Sequence, residues 1–388
     1  MIRVDRGEEP EVLTLERERQ IARSMLPGGP ERRDDITGYA PDEVRKQLCA
    51  RQHEKCAYCE KGVELEGYPV EHFRPKLGAE DVLWEQLQSD EPPEKLEDVP
   101  WARDPDRYRW LAWTWENLYY SCPTCNLQTY KANRFPLRRG SPRLSERDLP
   151  HEVDLTQREQ PLLLDPAELD PLDHLRFTPD YDEDNWRAVG ITPEGRWTVL
   201  VFGLNRQSLR TKRKHHVRLV IEKNVDLRQA LDALAREDTD ALRRHWMRAV
   251  EELLAPTTDF LALTWCVLDY RVPEEQRARY GLDLPRPGSR SARVSRPLLR
   301  PRPELTGLPE PLQMRVRALG GHPARAEMDE LLVAICRARP CTADDLGIML
   351  RRDGPYLRRT YLDALCAGSP PRLRRDPETG RYAADVPA

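Results

Sequence analysis

Four of the nine cysteines fall into two C-x-x-C pairs, Cys56 with Cys59 and Cys122 with Cys125. Each pair holds two thiolates on a tight turn, and two pairs complete a tetrahedral four-thiolate zinc site. Such a site has no open position for water, so its zinc is structural. About 60 residues separate the pairs, far more than a compact zinc ribbon allows. They form one site only if the fold brings both ends together; otherwise they are two unrelated turns with buried thiols. Thioredoxin-like redox chemistry would need a C-x-x-C in a βαβ context, which is absent. The other five, Cys49, Cys266, Cys336, Cys341 and Cys366, read as small buried hydrophobes.

Between the pairs runs Tyr68-Pro69-Val70-Glu71-His72-Phe73-Arg74-Pro75-Lys76, and the second pair is framed by Trp115-Glu116-Asn117-Leu118 before it and Asn126 and Lys131 after it. Taken singly, His72 reads as a packed or surface histidine, and Asn117 and Asn126 as caps. Their order carries more: C-x-x-C, Glu-His, Asn-Leu, C-x-x-C-Asn, Lys. That order resembles the zinc-stapled HNH endonucleases with a ββα-metal active site. A nearer likeness is to HNH proteins encoded beside retrons and in Septu-type antiphage systems. It extends to Arg6…Pro10…Leu13, Cys56-Ala57-Tyr58-Cys59-Glu60, Pro161-Leu162-Leu163-Leu164-Asp165-Pro166, His174-Leu175 and Leu204-Asn205-Arg206. It covers roughly residues 1 to 220.

The resemblance implies a role for each residue. His72 is the general base that takes a proton from water, for which an imidazole suits neutral pH. Glu71 and Asn126 match the ligands of a catalytic Mg²⁺ or Mn²⁺, an ion that prefers oxygen donors. Asn117 holds the loop that orients His72. Lys131, together with Arg74 and Lys76, neutralises phosphate. The last motif position is Asn126 rather than His. In the two-gene systems the nuclease is often held by a partner ATPase; this chain has no G-x-x-x-x-G-K-[ST] loop of its own.

These residues need elements to position them. The pattern predicts helices over Leu13 to Ile21 and Asp42 to Arg51, the latter with Pro41 near its start. Residues 77 to 107, acidic and Pro-containing, read as an insertion or loop. Trp197-Thr198-Val199-Leu200-Val201-Phe202 reads as a strand after the turn Pro193-Glu194-Gly195. From Asn205 to about Tyr270, Leu and Ala recur at helical spacing. Within it, Arg206, Arg210, Lys212, Arg213, Lys214, His215, His216 and Arg218 form the densest basic run. One face of that helix tracks a nucleic-acid backbone, or it is a solvated face balanced by nearby acids.

The last 60 residues predict helices over Met328 to Arg339, Ala343 to Arg352 (capped by Thr342) and from Pro355 to about Leu365. A hairpin follows across Asp376-Pro377-Glu378-Thr379-Gly380. This resembles a winged helix-turn-helix, whose third helix carries Arg358 and Arg359 and whose wing carries Arg372, Arg374 and Arg375. Such modules meet DNA or dock on protein.

The expected fold is α+β and mostly helical: a nuclease domain over 1–150 with the zinc site, a helical extension over 151–282, a Pro/Arg-rich linker over 283–311 and a winged-helix module over 312–388.

Composition bounds the function. Charged residues reach 33%, yet 62 basic and 66 acidic residues leave a net charge of −4. Any polyanion binding must therefore come from local patches. No run approaches 18 uncharged apolar residues, which excludes a membrane span. The start, Met1-Ile2-Arg3-Val4-Asp5, has no apolar signal segment, so a cytoplasmic location and free thiols are expected. The expected function is a metal-dependent endonuclease acting on DNA as an antiphage effector. The alternatives are a ribonuclease with the same site and a non-catalytic zinc and winged-helix DNA-binding regulator.

Overall fold

In a computed structural model, which describes residues 1–24, 36–62, 70–126, 129–148, 150, 152–180, 185–288 and 299–384, the chain divides into two units. One comprises Met1–Leu13 and Gly38–Ser295, the other Thr14–Thr37 and Arg296–Ala388. Tyr68, Pro69 and residues 289–298 of the expected linker lie outside the described residues.

The elements, in chain order, begin with α1 (Glu11–Ser24) and α2 (Asp42–Arg51). Four short strands follow: β1 (Val70–His72), β2 (Ala79–Val82), β3 (Trp101–Asp104) and β4 (Leu118–Tyr120). Then come α3 (Pro123–Asn126), α4 (Leu155–Glu159), β5 (Leu175–Pro179), β6 (Trp186–Gly190) and α5 (Pro193–Val201). The remaining helices of the first unit are α6 (Gln207–His216), α7 (Val225–Ala235), α8 (Thr239–Leu253), α9 (Leu261–Arg271) and α10 (Glu274–Tyr280). The fold is α+β: among the described residues the strands pair into four two-stranded antiparallel sheets, and the rest of the regular structure is helical.

Two local expectations are corrected. Trp197–Phe202 is helical, within and just after α5. Its β-branched and aromatic residues suggest a strand, but Thr192 accepts a hydrogen bond from the Gly195 N–H at 3.2 Å and Pro193 fills the first helical position. Residues 193–195 are thus the first turn of the helix. Trp197, Thr198 and Val201 share its buried face, so packing overrides propensity. Residues 77–107 are not all loop. β2 and β3 pair with Ala79 opposite Asp104 and Val82 opposite Trp101, closing the segment at its base.

In the first unit α9 is buried from Leu261 to Leu268, as the almost wholly apolar sequence of this stretch requires. The β5–β6 hairpin packs against it, with the Phe177 N–H directed at the Cys266 sulfur at 3.4 Å. Cys49, Cys266, Cys336 and Cys341 are buried and Cys366 is half-buried. No described helix is long and apolar enough to cross a membrane.

The second unit contains α11 (Glu310–Ala318), α12 (Arg325–Ala338), α13 (Ala343–Leu350), α14 (Gly354–Leu357), α15 (Asp363–Ala367), β7 (Arg374–Arg375) and β8 (Tyr382–Ala383). A π-helical turn over Arg358–Leu362 joins α14 to α15. Thr342 and Asp345 form a reciprocal capping box at α13. Leu305 and Leu308, inside the stretch read as linker, are buried in the core with Leu332, Ile335, Leu346, Leu357 and Leu362. Glu18 of α1 belongs here too. Its buried carboxylate accepts from the Arg300 backbone N–H at 3.1 Å and side-chain Nε at 2.9 Å, with Arg351 at 3.7 Å and Arg317 at 3.9 Å.

Candidate metal centre and Glu-His site

The first Cys pair sits on the turn after α2, where the Cys56 N–H bonds the Lys61 carbonyl at 3.0 Å. The second opens α3, directly after β4. What joins them across the intervening chain is the end of β4. The Tyr120 carbonyl accepts from the Ala57 N–H at 3.1 Å and from Gln52 Nε2 at 2.6 Å, while the Tyr120 N–H donates to Gln52 Oε1 at 2.8 Å. The buried amide of Gln52 thus clamps both turns together.

The four sulfurs lie within 4.8 Å of one another, all buried, and Cys59 Sγ is 3.8 Å from Cys122 Sγ. A tetrahedron of Zn–S bonds near 2.3 Å has sulfur–sulfur edges of about 3.8 Å, so the donor set fits zinc in both chemistry and spacing. Hydrogen bonds from neighbouring thiols hold Cys59 and Cys122 below the usual thiol range. Burial pushes Cys56 up, and the bond to Cys122 does the same for Cys125. Burial costs the Arg206 guanidinium, but the charges at Cys125, Cys59 and Cys122 more than offset this and raise its pKa. Its Nη2 lies 3.6 Å from Cys125 Sγ.

Beside the cluster, β1 pairs with β4 in the register Glu71 opposite Tyr119 and His72 opposite Leu118. His72 is buried, and its Nε2 lies 2.9 Å from the Ala112 carbonyl oxygen. A carbonyl can only accept, so the proton is on Nε2 and Nδ1 carries the lone pair. Burial, then the charge of Lys76, lowers the His72 pKa to about 3. Asn117 fastens the loop that supplies this carbonyl: its Oδ1 accepts from the Arg74 N–H at 2.7 Å, and its Nδ2 donates to the carbonyls of Arg74 at 2.9 Å and Leu111 at 3.1 Å. Leu111 immediately precedes Ala112.

Lys131 is fully buried. Its ammonium ion-pairs with Glu71 Oε1 and donates to the His72 carbonyl at 2.7 Å. Burial raises the Glu71 pKa, with Lys131 and Lys76 pulling the other way. Lys76 lies 3.5 Å from the centroid of the Tyr39 ring, which meets His72 edge-on at 4.5 Å. Burial lowers the Lys76 pKa to about 8. Asn126 ends α3, half-buried, one residue after Cys125.

The structure therefore brings Glu71, His72, Asn117, Lys76 and Lys131 together next to the four cysteines. It disperses the other basic residues. Arg74, read as a phosphate contact, is buried with its Nε 2.6 Å from Glu159 Oε1, and Tyr108 donates to the other oxygen at 2.6 Å. Its charge is already neutralised by protein. The basic run of α6 does not form one solvent face. Arg213 is buried, donating to the Leu204 carbonyl at 2.6 Å and lying 4.6 Å from the Phe177 ring centroid, and burial lowers its pKa to about 10. Arg206 turns to the sulfurs, and Arg210 pairs with Asp180 at 2.6 Å. Lys212 is exposed and Lys214 half-buried. In the second unit, Arg358, Arg359 and Arg374 are exposed, Arg358 lying 3.7 Å from Asp363.

Gln52, Tyr39 and the Ala112 carbonyl were not legible as site groups. Gln52 follows a predicted helix with no motif around it, and a backbone carbonyl has no residue signature.

A four-thiolate centre stapled to a strand pair bearing a buried Glu-His dyad defines the class of site. Compared with known proteins, the chain is 28% identical over 273 residues to the Septu protein PtuB of Bacillus mycoides (strain KBAB4), spanning 66% of this chain and 81% of that one. No family model and no solved structure matches.

Proposed function

We propose that the first unit is a metal-dependent HNH-type endonuclease with a structural zinc, acting as the effector of a bacterial antiphage defence system. The observation that carries the chemistry is the His72 imidazole, neutral and fixed by Ala112 through a loop that Asn117 staples. The likeness to a Septu protein supports the defence role and the expectation of a partner subunit, which on the family resemblance is an ATPase.

In this reading His72 Nδ1 accepts the proton of the attacking water while Nε2–H stays on Ala112. Burial keeps the imidazole deprotonated at neutral pH, and a phosphodiester arriving beside it raises its proton affinity. Glu71 and Asn126 offer the hard oxygen donors that fit Mg²⁺ or Mn²⁺, which would supply charge stabilisation at the scissile phosphate. Lys131 holds the Glu71 carboxylate ionised inside the protein, and Lys76 offers a cation to the phosphate. On this account Lys131 serves Glu71 rather than the substrate. The C-terminal unit is proposed as a winged helix that targets the nuclease to DNA or docks a partner through the exposed Arg358, Arg359 and Arg374 face.

The test is incubation of purified protein with plasmid, single-stranded DNA and total tRNA, with and without Mn²⁺. Metal-dependent cleavage of any of them, lost in His72→Ala, supports the reading. Cleavage confined to tRNA assigns a ribonuclease. Absence of cleavage on all three, with zinc bound, refutes a nuclease that acts alone.

A further inference from the structure

We propose that a cleft in the first unit, one residue from Lys131, binds an unpaired nucleotide of the substrate strand, a proposal that rests on the nuclease reading. The cleft has a volume of about 740 Å³, within the range of roughly 300–1,000 Å³ that holds a small organic ligand. It opens between the 92–97 loop, β6 and α5.

Its composition is that of a base-and-phosphate receptor. Tyr130 forms one wall, with the Arg206 guanidinium 5.4 Å from its ring centroid. The turn after α5 packs against that ring: Gly203 has φ +55°, and a Cβ there would run into Tyr130. Val199 and Leu200 of α5 supply an apolar lining. The edge of β6 is sealed by Asn205, whose amide bonds both the N–H and the carbonyl of Ala188 at 2.8 Å. Backbone pairing of another strand there is therefore blocked, and the cleft must recognise its ligand by side chains.

The cations in the cleft differ in what they have left to give. Arg206 is held by the Phe202 and Gly203 carbonyls and the Cys125 sulfur. Arg196 is 2.6 Å from Glu91. Arg187, exposed on β6, has no hydrogen-bond or ion-pair partner among the described residues. Lys95 also lines the cleft, exposed beside Glu94 and Glu97 in the 92–97 loop, but Arg187 offers the planar guanidinium fork that holds a phosphate with two bonds. A flat aromatic wall and apolar lining suit the face of a base, and a base inside a duplex cannot reach them because it is already stacked and paired. A base on Tyr130 with its phosphate on Arg187 satisfies both features at once.

The experiment is fluorescence anisotropy of a labelled single-stranded 12-mer DNA, the matching RNA and the blunt DNA duplex, using the full chain without added divalent ion. Circular dichroism and zinc content check the fold of each variant. Arg187→Glu carries the test, because its side chain is solvent-exposed; Tyr130→Leu removes the aromatic wall. Arg248→Glu, exposed on α8, matches the charge change elsewhere. The expected result is single-strand binding about tenfold or more tighter than duplex binding. That preference should fall about tenfold in Arg187→Glu and Tyr130→Leu and stay unchanged in Arg248→Glu. Binding by the RNA rather than the DNA strand would assign the source without altering the site. Equal affinity for duplex, or equal losses in Arg187→Glu and Arg248→Glu, would overturn the proposal. Cleavage in Mn²⁺ is read in parallel: no cleavage with Arg187-dependent binding refutes the nuclease reading alone, and cleavage with Arg187-independent binding refutes the cleft alone.

Discussion

Lys131→Met isolates the role assigned to the buried lysine. The Lys131 side chain is 0% exposed and that of Glu71 5%, so the substitution keeps the apolar stem but strands a carboxylate in the interior. It also leaves the His72 carbonyl without its 2.7 Å donor. Removing one partner of a buried pair costs about 3–5 kcal/mol, and an orphaned carbonyl adds about 1 kcal/mol. Glu71 can escape part of this by taking up a proton. Burial already raises its pKa, and loss of Lys131 raises it further. A carboxyl whose folded pKa exceeds its unfolded value stabilises the fold as pH falls, so the variant's deficit should be largest near pH 8 and shrink towards pH 5. Lys131→Met/Glu71→Gln, which has no charge to strand, should recover most of the loss. The assay is urea denaturation followed by tryptophan fluorescence. All nine Trp, from Trp84 to Trp265, lie in the first unit, so the signal reports that unit alone. A Lys131→Met deficit below about 1 kcal/mol at pH 8, or an undiminished deficit in the double variant, would refute the reasoning.

Elemental analysis should find one zinc per chain, and Cys122→Ser should lose zinc and solubility together, because metal binding in such sites is worth roughly 10 kcal/mol of folding energy in small zinc peptides. Buried His216, 2.9 Å from Thr264 Oγ1, has its pKa lowered to about 4. The unfolded chain therefore takes up this proton below about pH 6.5 while the folded chain refuses it down to about 4. Up to roughly 3 kcal/mol is lost across that window, and His216→Gln should show a shallower fall in urea midpoint between pH 7 and 4.5. In the second unit, Glu18→Leu should leave Arg300, Arg317 and Arg351 without their shared carboxylate. With Arg300 and Arg351 partly solvated, a loss of about 2 kcal/mol is expected, read as faster proteolysis between residues 299 and 384.

The four-Cys cluster was legible because two C-x-x-C pairs constrain four ligands at once, and the Asp42–Arg51 and C-terminal helices because their apolar spacing agrees with start signals such as Pro41 and Thr342. What the sequence hid is cooperative. The strand read at Trp197–Phe202 failed because Thr192 and Pro193 start a helix four residues before its apolar run begins. Arg74 looks like a surface cation until Glu159, 85 residues away, is seen beside it, and Arg213 until its side chain is seen turned inward to the Leu204 carbonyl. The dependence of His72 on Ala112 is a backbone contact 40 residues away, and no residue type announces it.

The central claim is that His72 acts on a water proton while Glu71 and Asn126 bind the divalent ion. Cleavage rates of wild type, His72→Ala, Glu71→Gln and Asn126→Ala against Mn²⁺ concentration test it most directly. General-base catalysis contributes about 10²–10⁴-fold, so His72→Ala should lose about that much at every Mn²⁺ concentration while keeping its zinc. Glu71→Gln and Asn126→Ala should regain part of their loss as Mn²⁺ rises, since mass action offsets a weakened site. Wild-type rates in all three variants, or recovery of His72→Ala at high Mn²⁺, would contradict the account.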